Sequence, residues 1–388
     1  MDETISLSAC HVAEDRGIVR QSPRPENLRN AAYAAQFDWR TIFYDVYRSG
    51  PEVVLQGPPF LNFLPMLKAA EGLRGKFRPL WPKARLVDRS KGCEIRLRHD
   101  GDTLLLDGAL GRFDITVQPD LSHLFAGRRV IHTLSRNNDI RWIKDWIAFY
   151  AAIHGADGVL LYDNASTAYT LGELRAALEQ VFPDMAVAVV DWPFIYGPQG
   201  GLAGAVDGRE TPWDSDYCQT GSLQHARFRF LRRARSVLNV DIDELVLSSR
   251  ERSIFAETEA SKAGFIKFGG SWISSANHRA ATPEDCRHGD FLLRDREEQE
   301  ICPPKWCIVP DARHDAKYTW SVHNVFGSPH NRTLSPEFGY RHMKGISNSW
   351  KYDRWERASP DPARFVEDPD LRAAFERSGL IVAEAAAR

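Results

Sequence analysis

"DIRWIKDWIAFYAAIHGADGVLLYD", residues 139–163, is the stretch on which the fold reading turns. Ile140, Ile143, Trp146, Ile147 and Tyr150 fall at helical spacing on one face. Asp139 stands where a helix start is capped, and Gly155 where a helix stops. "GVLLYD" is a short, nearly continuous apolar run, the pattern of a strand covered on both faces. The same alternation extends in both directions. "RRVIHTL" (128–134) reads as a strand, "TLGELRAALEQVF" (170–182) as a second amphipathic helix and "MAVAVVDW" (185–192) as a third strand. "GSLQHARFRFLRRAR" (221–235) reads as helical, and "SVLNVDID" (236–243) as a fourth strand. Strands alternating with helices predict an α/β unit with a mostly parallel sheet flanked by helices. Ligands in such sheets bind at the carboxyl ends of strands, where Asp163 and Asp241 fall.

The rest of the chain bounds what this unit does. With 388 residues it is long enough for a large core and an appendage. A formal charge of −2 argues against a general nucleic-acid binder, which carries a basic balance. No run approaches 18 apolar residues, so no transmembrane helix is expected, and peripheral membrane association stays open. The opening "MDETISLSAC" lacks the basic and apolar regions of a secretory signal, which points to the cytoplasm. The six cysteines are scattered, and the four-residue gap of "CPPKWC" does not suit a zinc knuckle; free thiols are expected.

Before residue 128 the texture differs. Residues 1–35 mix charge, Pro and small residues. From 52 to 118 the chain is strand-rich, with "CEIRLRHDGDTLLLDG" read as two strands around a turn and "RFDITVQP" as a third. The expected division is an N-terminal strand-rich region (1–127), the α/β domain (128–355) and a C-terminal helical tail (356–388).

Four Asp-x-Asp triplets occur, and three of them (Asp100/Asp102, Asp214/Asp216, Asp368/Asp370) lie among turn-forming or charged residues. The fourth, Asp241/Asp243 in "VLNVDIDELVL" (237–247), follows an apolar strand. Side chains two apart on a strand share a face, so both carboxylates are expected in one cleft, where Mn²⁺ or Mg²⁺ would find hard oxygen ligands. Upstream, Arg136 and Asn137 follow the first strand of the unit, and Asp163 and Asn164 follow the second. An aspartate there either accepts hydrogen bonds from a base or ribose, or closes an Asx turn in "DNAST".

At these residues the chain resembles glycosyltransferase family 92 and related family 2-type glycosyltransferases of GT-A fold. Residues 135–167 are similar to the family's opening, and "VDIDELV" resembles its Asp-x-Asp-Glu-Phe metal motif. Gln219 with "HARFR", then "SWISSANHR", "KWCIVPD" and "YRHMKGISNSWKYDR" keep the family's order across 130–355. The resemblance implies a GT-A-like sheet and a metal-dependent transfer of sugar from a nucleotide-sugar donor, a UDP-sugar foremost, to a glycan or glycolipid. Inverting chemistry and surface-polysaccharide synthesis come with it. It implies that Arg136, Asn137, Asp163, Asn164, Lys305 and Lys351 contact the donor, with Lys344 a further cation for its diphosphate. Asp241 and Asp243, with His323 or His342, would hold the metal, and Trp272 would meet the acceptor. An acceptor-activating carboxylate is needed as well, and Asp290 is the choice. Two departures stand out: Asn138 replaces the family's Glu, and 276–300 diverges. The competing readings are an aspartate-dependent, phosphatase-like hydrolase and a non-catalytic carbohydrate-binding protein.

Overall fold

A computed structural model describes residues 5–70, 74–75, 78–79, 83–89, 91–311, 314, 317–349, 354–355 and 359–382. Lys351 and the terminal "AEAAAR" (383–388) lie outside them. The chain forms two compact units, one built from 1–124, 191–232 and 315–322, the other from 125–190, 233–314 and 323–388. The α/β stretch is therefore interrupted twice by segments that fold with the N-terminal unit.

The first unit is strand-rich. Asp45–Ser49, Glu52–Gly57, Gly92–Leu97 and Arg85–Arg89 form one antiparallel sheet in that order. Thr103–Gly108 and Gly111–Thr116 form a hairpin in another. The two strands read on either side of the His-Asp-Gly-Asp turn thus exist, but they belong to separate sheets. Helix Tyr217–His225 continues into a wider π-helical turn, Ala226–Phe230, whose side chains face inward. Its charges are matched inside: Asp45 Oδ2 lies 2.8 Å from His225 Nε2 and 2.8 Å from Arg229 Nη1. All three side chains are buried, so each needs the others.

The second unit carries the elements needed below. In chain order these are β1 (Arg129–Ser135), α1 (Ile140–His154), β2 (Gly158–Asp163), α2 (Leu171–Val181), β3 (Ala186–Asp191), β4 (Ser236–Asn239) and β5 (Glu244–Ser248). They are followed by α3 (Ile254–Ala260), β6 (Phe265–Ile273), β7 (Cys302–Ile308), β8 (Phe338–Met343) and α4 (Pro369–Ser378). The α1 caps fall as the sequence predicts: Asp139 accepts from Arg141 N, and Gly155 takes the left-handed conformation at the C-terminus. Thr170 and Glu173 form a reciprocal capping box on α2. Ile143, Trp146, Ile147 and Tyr150 of α1 pack with Val159 and Leu161 of β2 and Phe375 of α4 in one core.

The sheet itself corrects the expectation. It is not a mostly parallel, GT-A-like sheet but a curled, mixed one of eight strands in the order β3-β2-β1-β4-β7-β6-β8-β5. β1 pairs in parallel with β2 and β4. Beyond β4 the pairing changes: β4/β7, β7/β6 and β5/β8 are antiparallel, and only β6/β8 is parallel. The change falls where long crossover helices give way to loops and one short helix. A parallel pair of consecutive strands needs a crossover of a dozen or more residues, which α1 supplies between β1 and β2. After residue 240 the helical period fades, and α3 spans only seven residues. All six cysteines are buried, and none is in a disulfide. Among the described residues no helix is long and apolar enough to cross a membrane.

His154 ties the end of α1 to two other elements. Its Nε2 lies 2.8 Å from Val246 O, so Nε2 carries the proton, and Nδ1 accepts from Ile254 N at 3.2 Å. Burial pushes its pKa down to about 4 from 6.5. Below pH 6.5 the unfolded chain binds a proton that the folded ring refuses, so this group's contribution is lost as pH falls from 6.5 towards 4. The loss is about 3 kcal/mol. Denaturant unfolding at pH 7 and pH 4.5 should show a smaller pH dependence in His154→Gln than in the wild type. Equal pH dependence in both would contradict this.

Candidate functional site

The site grows from the turn between β4 and β5. The strand ends at Asn239, so Asp241 and Asp243 sit in a turn rather than along a strand, and the shared-face argument does not apply to them. The turn closes on itself: Glu244 N donates to Asp241 O at 3.1 Å, and Asp241 N donates to Glu244 Oε2 at 2.9 Å. It carries the chain from β4, inside the sheet, to β5 at its edge.

Lys305 of β7 fixes this turn. Its side chain has no exposed surface, and its Nζ lies 2.7 Å from Asp241 Oδ2 and 2.9 Å from Glu244 Oε2. Burial alone would lower the pKa of the ammonium; the two carboxylates outweigh it and raise the group above its usual value. Burial also pushes Asp241 up, but Lys305 holds it below its ordinary value. Glu244 has the opposite balance. Burial and the neighbouring Asp241 charge push it up to about 7 against the pull of Lys305.

Asp243 turns to other partners. Its Oδ2 lies 3.0 Å from His342 Nε2 and 3.0 Å from Arg354 Nη1. Burial opposes the charge, but these two neighbours hold the carboxyl well below the usual range. His342 arrives by strand register, because Glu244 of β5 pairs with His342 of β8, which pairs with Trp272 of β6. The His342 and Trp272 rings stack with centroids 4.0 Å apart and planes 14° apart. Lys344 Nζ and Arg354 Cζ lie 5.5 and 5.4 Å from the Trp272 ring centroid. Lys344 is also ion-paired with Glu298. Trp272 is only 6% exposed, so its ring is a floor for His342 rather than an open platform for a sugar.

The structure thus brings together Asp241, Asp243, Lys305, His342 and Trp272. His323 Nδ1 lies 3.1 Å from the carbonyl oxygen of Pro304, the residue before Lys305.

The loops after β1 and β2 lie at the carboxyl end of the same sheet. Asn137, at φ 54°, accepts from Thr167 N (2.6 Å) and Ala168 N (3.1 Å) through Oδ1 and so staples the two loops. Asp163 is buried, and its Oδ1 accepts from the backbone N–H of Ser166, three residues on, at 3.0 Å. Asn164 N donates to Ser135 O at 2.8 Å. Arg136 is exposed, and its carbonyl accepts from Asn348 Nδ2 at 2.5 Å. Asn138, in place of the family's Glu, donates to Ser135 Oγ at 2.9 Å. Asp290 is not drawn into the Asp241–Asp243 cluster by the bonds it makes. It accepts from Arg287 N at 2.7 Å and pairs with Arg279 at 2.6 Å, the bonds of a cap on a short turn.

Two residues had no role assigned from sequence. Glu244 directly follows the Asp-x-Asp pair and opens an apolar run, the sign of an acid carried into a buried strand. Arg354 closes the late segment "YRHMKGISNSWKYDR", but its reach to Asp243 depends on the path of the chain after β8.

The chain matches none of the protein-family models, and no curated protein matches it.

Removing Lys305 should strand two acids. Lys305→Met is expected to cost about 3–5 kcal/mol of unfolding free energy at pH 7. Glu244→Gln should cost roughly 1 kcal/mol, since its carboxyl already carries a proton for much of the time at that pH and Lys305 keeps Asp241. Denaturant unfolding measures both; a Lys305→Met protein as stable as the wild type would refute the role given to Lys305.

Proposed function

We propose that this cluster is the donor site of a nucleotide-sugar-dependent glycosyltransferase that moves a sugar onto a glycan or glycolipid acceptor. One observation carries the reading. Residues 241–243, 272, 305 and 342 come from segments up to about a hundred residues apart, each singled out from sequence, and they meet around one turn.

The donor set suits a divalent cation in part. Asp243 Oδ2 and His342 Nε2, a hard oxygen and an imidazole nitrogen, converge to 3.0 Å. Among the described residues no group of three or more His, Cys, Asp or Glu is gathered to hold a metal. The protein would therefore offer Asp243 and His342, leaving the other positions to phosphate and water, as Mg²⁺ and Mn²⁺ sites on nucleotides do. Bound there, the cation would take up charge on the departing diphosphate.

The chain's own side chains have separate tasks in this reading. Lys305 holds the turn in one conformation, so that Asp243 stays aimed at His342. Trp272 keeps the His342 ring oriented by stacking. Arg354 and Lys344 bring positive charge to the place where the diphosphate would lie.

A second reading, phosphate-ester hydrolysis through an aspartyl nucleophile, draws on the Asp241–Lys305 pair. One experiment separates them: the whole protein is offered UDP-, GDP- and CMP-sugars and, in parallel, a simple phosphate monoester, with and without Mn²⁺. Sugar transfer predicts Mn²⁺-dependent nucleotide release, cut about a hundredfold or more by Asp243→Asn, because metal stabilisation of a leaving group is worth several kcal/mol. Release that is unaffected by Asp243→Asn, or turnover of the phosphate monoester alone, would overturn the reading.

A further inference from the structure

Asp243 Oδ2, His342 Nε2 and Arg354 Nη1 form a triangle with sides of 3.0, 3.0 and 3.2 Å. One imidazole nitrogen cannot serve both of its neighbours. With a proton on Nε2 it donates to Asp243 and meets the Arg354 N–H head-on. Without one it accepts from Arg354 and turns its lone pair towards the carboxylate. In either state the guanidinium, which keeps its charge throughout the accessible pH range, is the cation held against Asp243 Oδ2 and beside His342 Nε2. Two further atoms set the pocket apart. Among the described residues, the buried His342 Nδ1 and Trp272 Nε1 have no hydrogen-bond partner. The His342 ring is therefore oriented by its stack on Trp272, which leaves Nε2 directed at the cation position.

We propose that Arg354 is the resident counter-cation of this site, standing where a divalent cation binds, so that metal and guanidinium exclude one another. The inference rests on the reading of Asp243 and His342 as the metal's protein ligands. Two cations cannot share a carboxylate oxygen and an imidazole lone pair at these distances without strong repulsion. A metal arriving with a diphosphate removes the conflict. The guanidinium leaves Asp243 and finds phosphate oxygens, whose geometry its planar fork matches. Metal alone has to displace Arg354 without that compensation. The site should therefore bind free Mn²⁺ weakly and Mn²⁺ with a nucleoside diphosphate much better.

Mn²⁺ binding to the whole protein, followed by the loss of the free-ion electron paramagnetic resonance signal, tests this without any activity assay. Thermal melts establish that each variant is folded. Arg354→Gln should bind Mn²⁺ at least about tenfold more tightly than the wild type. Arg354→Lys, which keeps the charge, should stay closer to the wild type than Arg354→Gln does. Asp243→Asn should lose binding. Mn²⁺ binding in Arg354→Gln that equals or falls below that of the wild type overturns the proposal, and so does an absence of binding in both. Failure of the glycosyl-transfer reading looks different: Arg354→Gln would tighten Mn²⁺ as expected while neither protein consumes any nucleotide-sugar.

Discussion

Lys305 has no contact with solvent, and a charge taken out of water must find its counter-charge inside the protein. Much of the second unit's arrangement follows from that requirement. Lys305 lies on β7, paired with Phe268 of β6, and reaches both Asp241 and Glu244. Holding Glu244 sets where β5 begins. Since Glu244 pairs with His342, and His342 with Trp272, the register of three strands is tied to one ion cluster. The Asp243–His342 contact is a consequence of that register.

The two aspartates of the Asp-x-Asp turn therefore differ in kind. Asp241 is an anchor, spoken for by Lys305, though its side chain remains 36% exposed. Asp243 faces His342 and Arg354, groups brought by β8 and by the chain beyond it. Such a division ties the two carboxylates of one turn to different parts of the chain. Glu244 completes the balance. It shares Lys305 with Asp241, and burial together with the Asp241 charge pushes its carboxyl up to about 7.

The elements up to residue 240 were legible because their signals are local. The stripe on α1, the Asp139 and Gly155 caps and the apolar runs of β1, β2 and β3 all appear at the residues that the sequence points to. The sheet's pairing was not legible. Direction is set by how the chain returns between strands, and after β4 the returns are loops and one seven-residue helix, with little helical period to read. The Asp-x-Asp pair was recognisable as chemistry, yet its setting was misjudged, since "SVLNVDID" continues the strand pattern through residues that the structure bends into a turn. Lys305 and His342 were visible as candidate residue types, but their division between Asp241 and Asp243 depends on strand register. Arg354 depends on a tertiary approach that no spacing encodes. Asp163 reaches Ser166 within its own loop, whereas Asn137 joins its loop to Thr167 and Ala168 of another, a link that no local spacing encodes.

The central claim, that Asp243 and His342 together hold a metal-bound nucleotide, is tested most directly by crystals grown with Mn²⁺ and UDP and measured at the manganese absorption edge. The expected result is an anomalous peak in contact with Asp243, His342 and the diphosphate, with the Arg354 guanidinium moved off Asp243. A peak elsewhere in the molecule, or a diphosphate bound away from this turn with Arg354 still on Asp243, would contradict it.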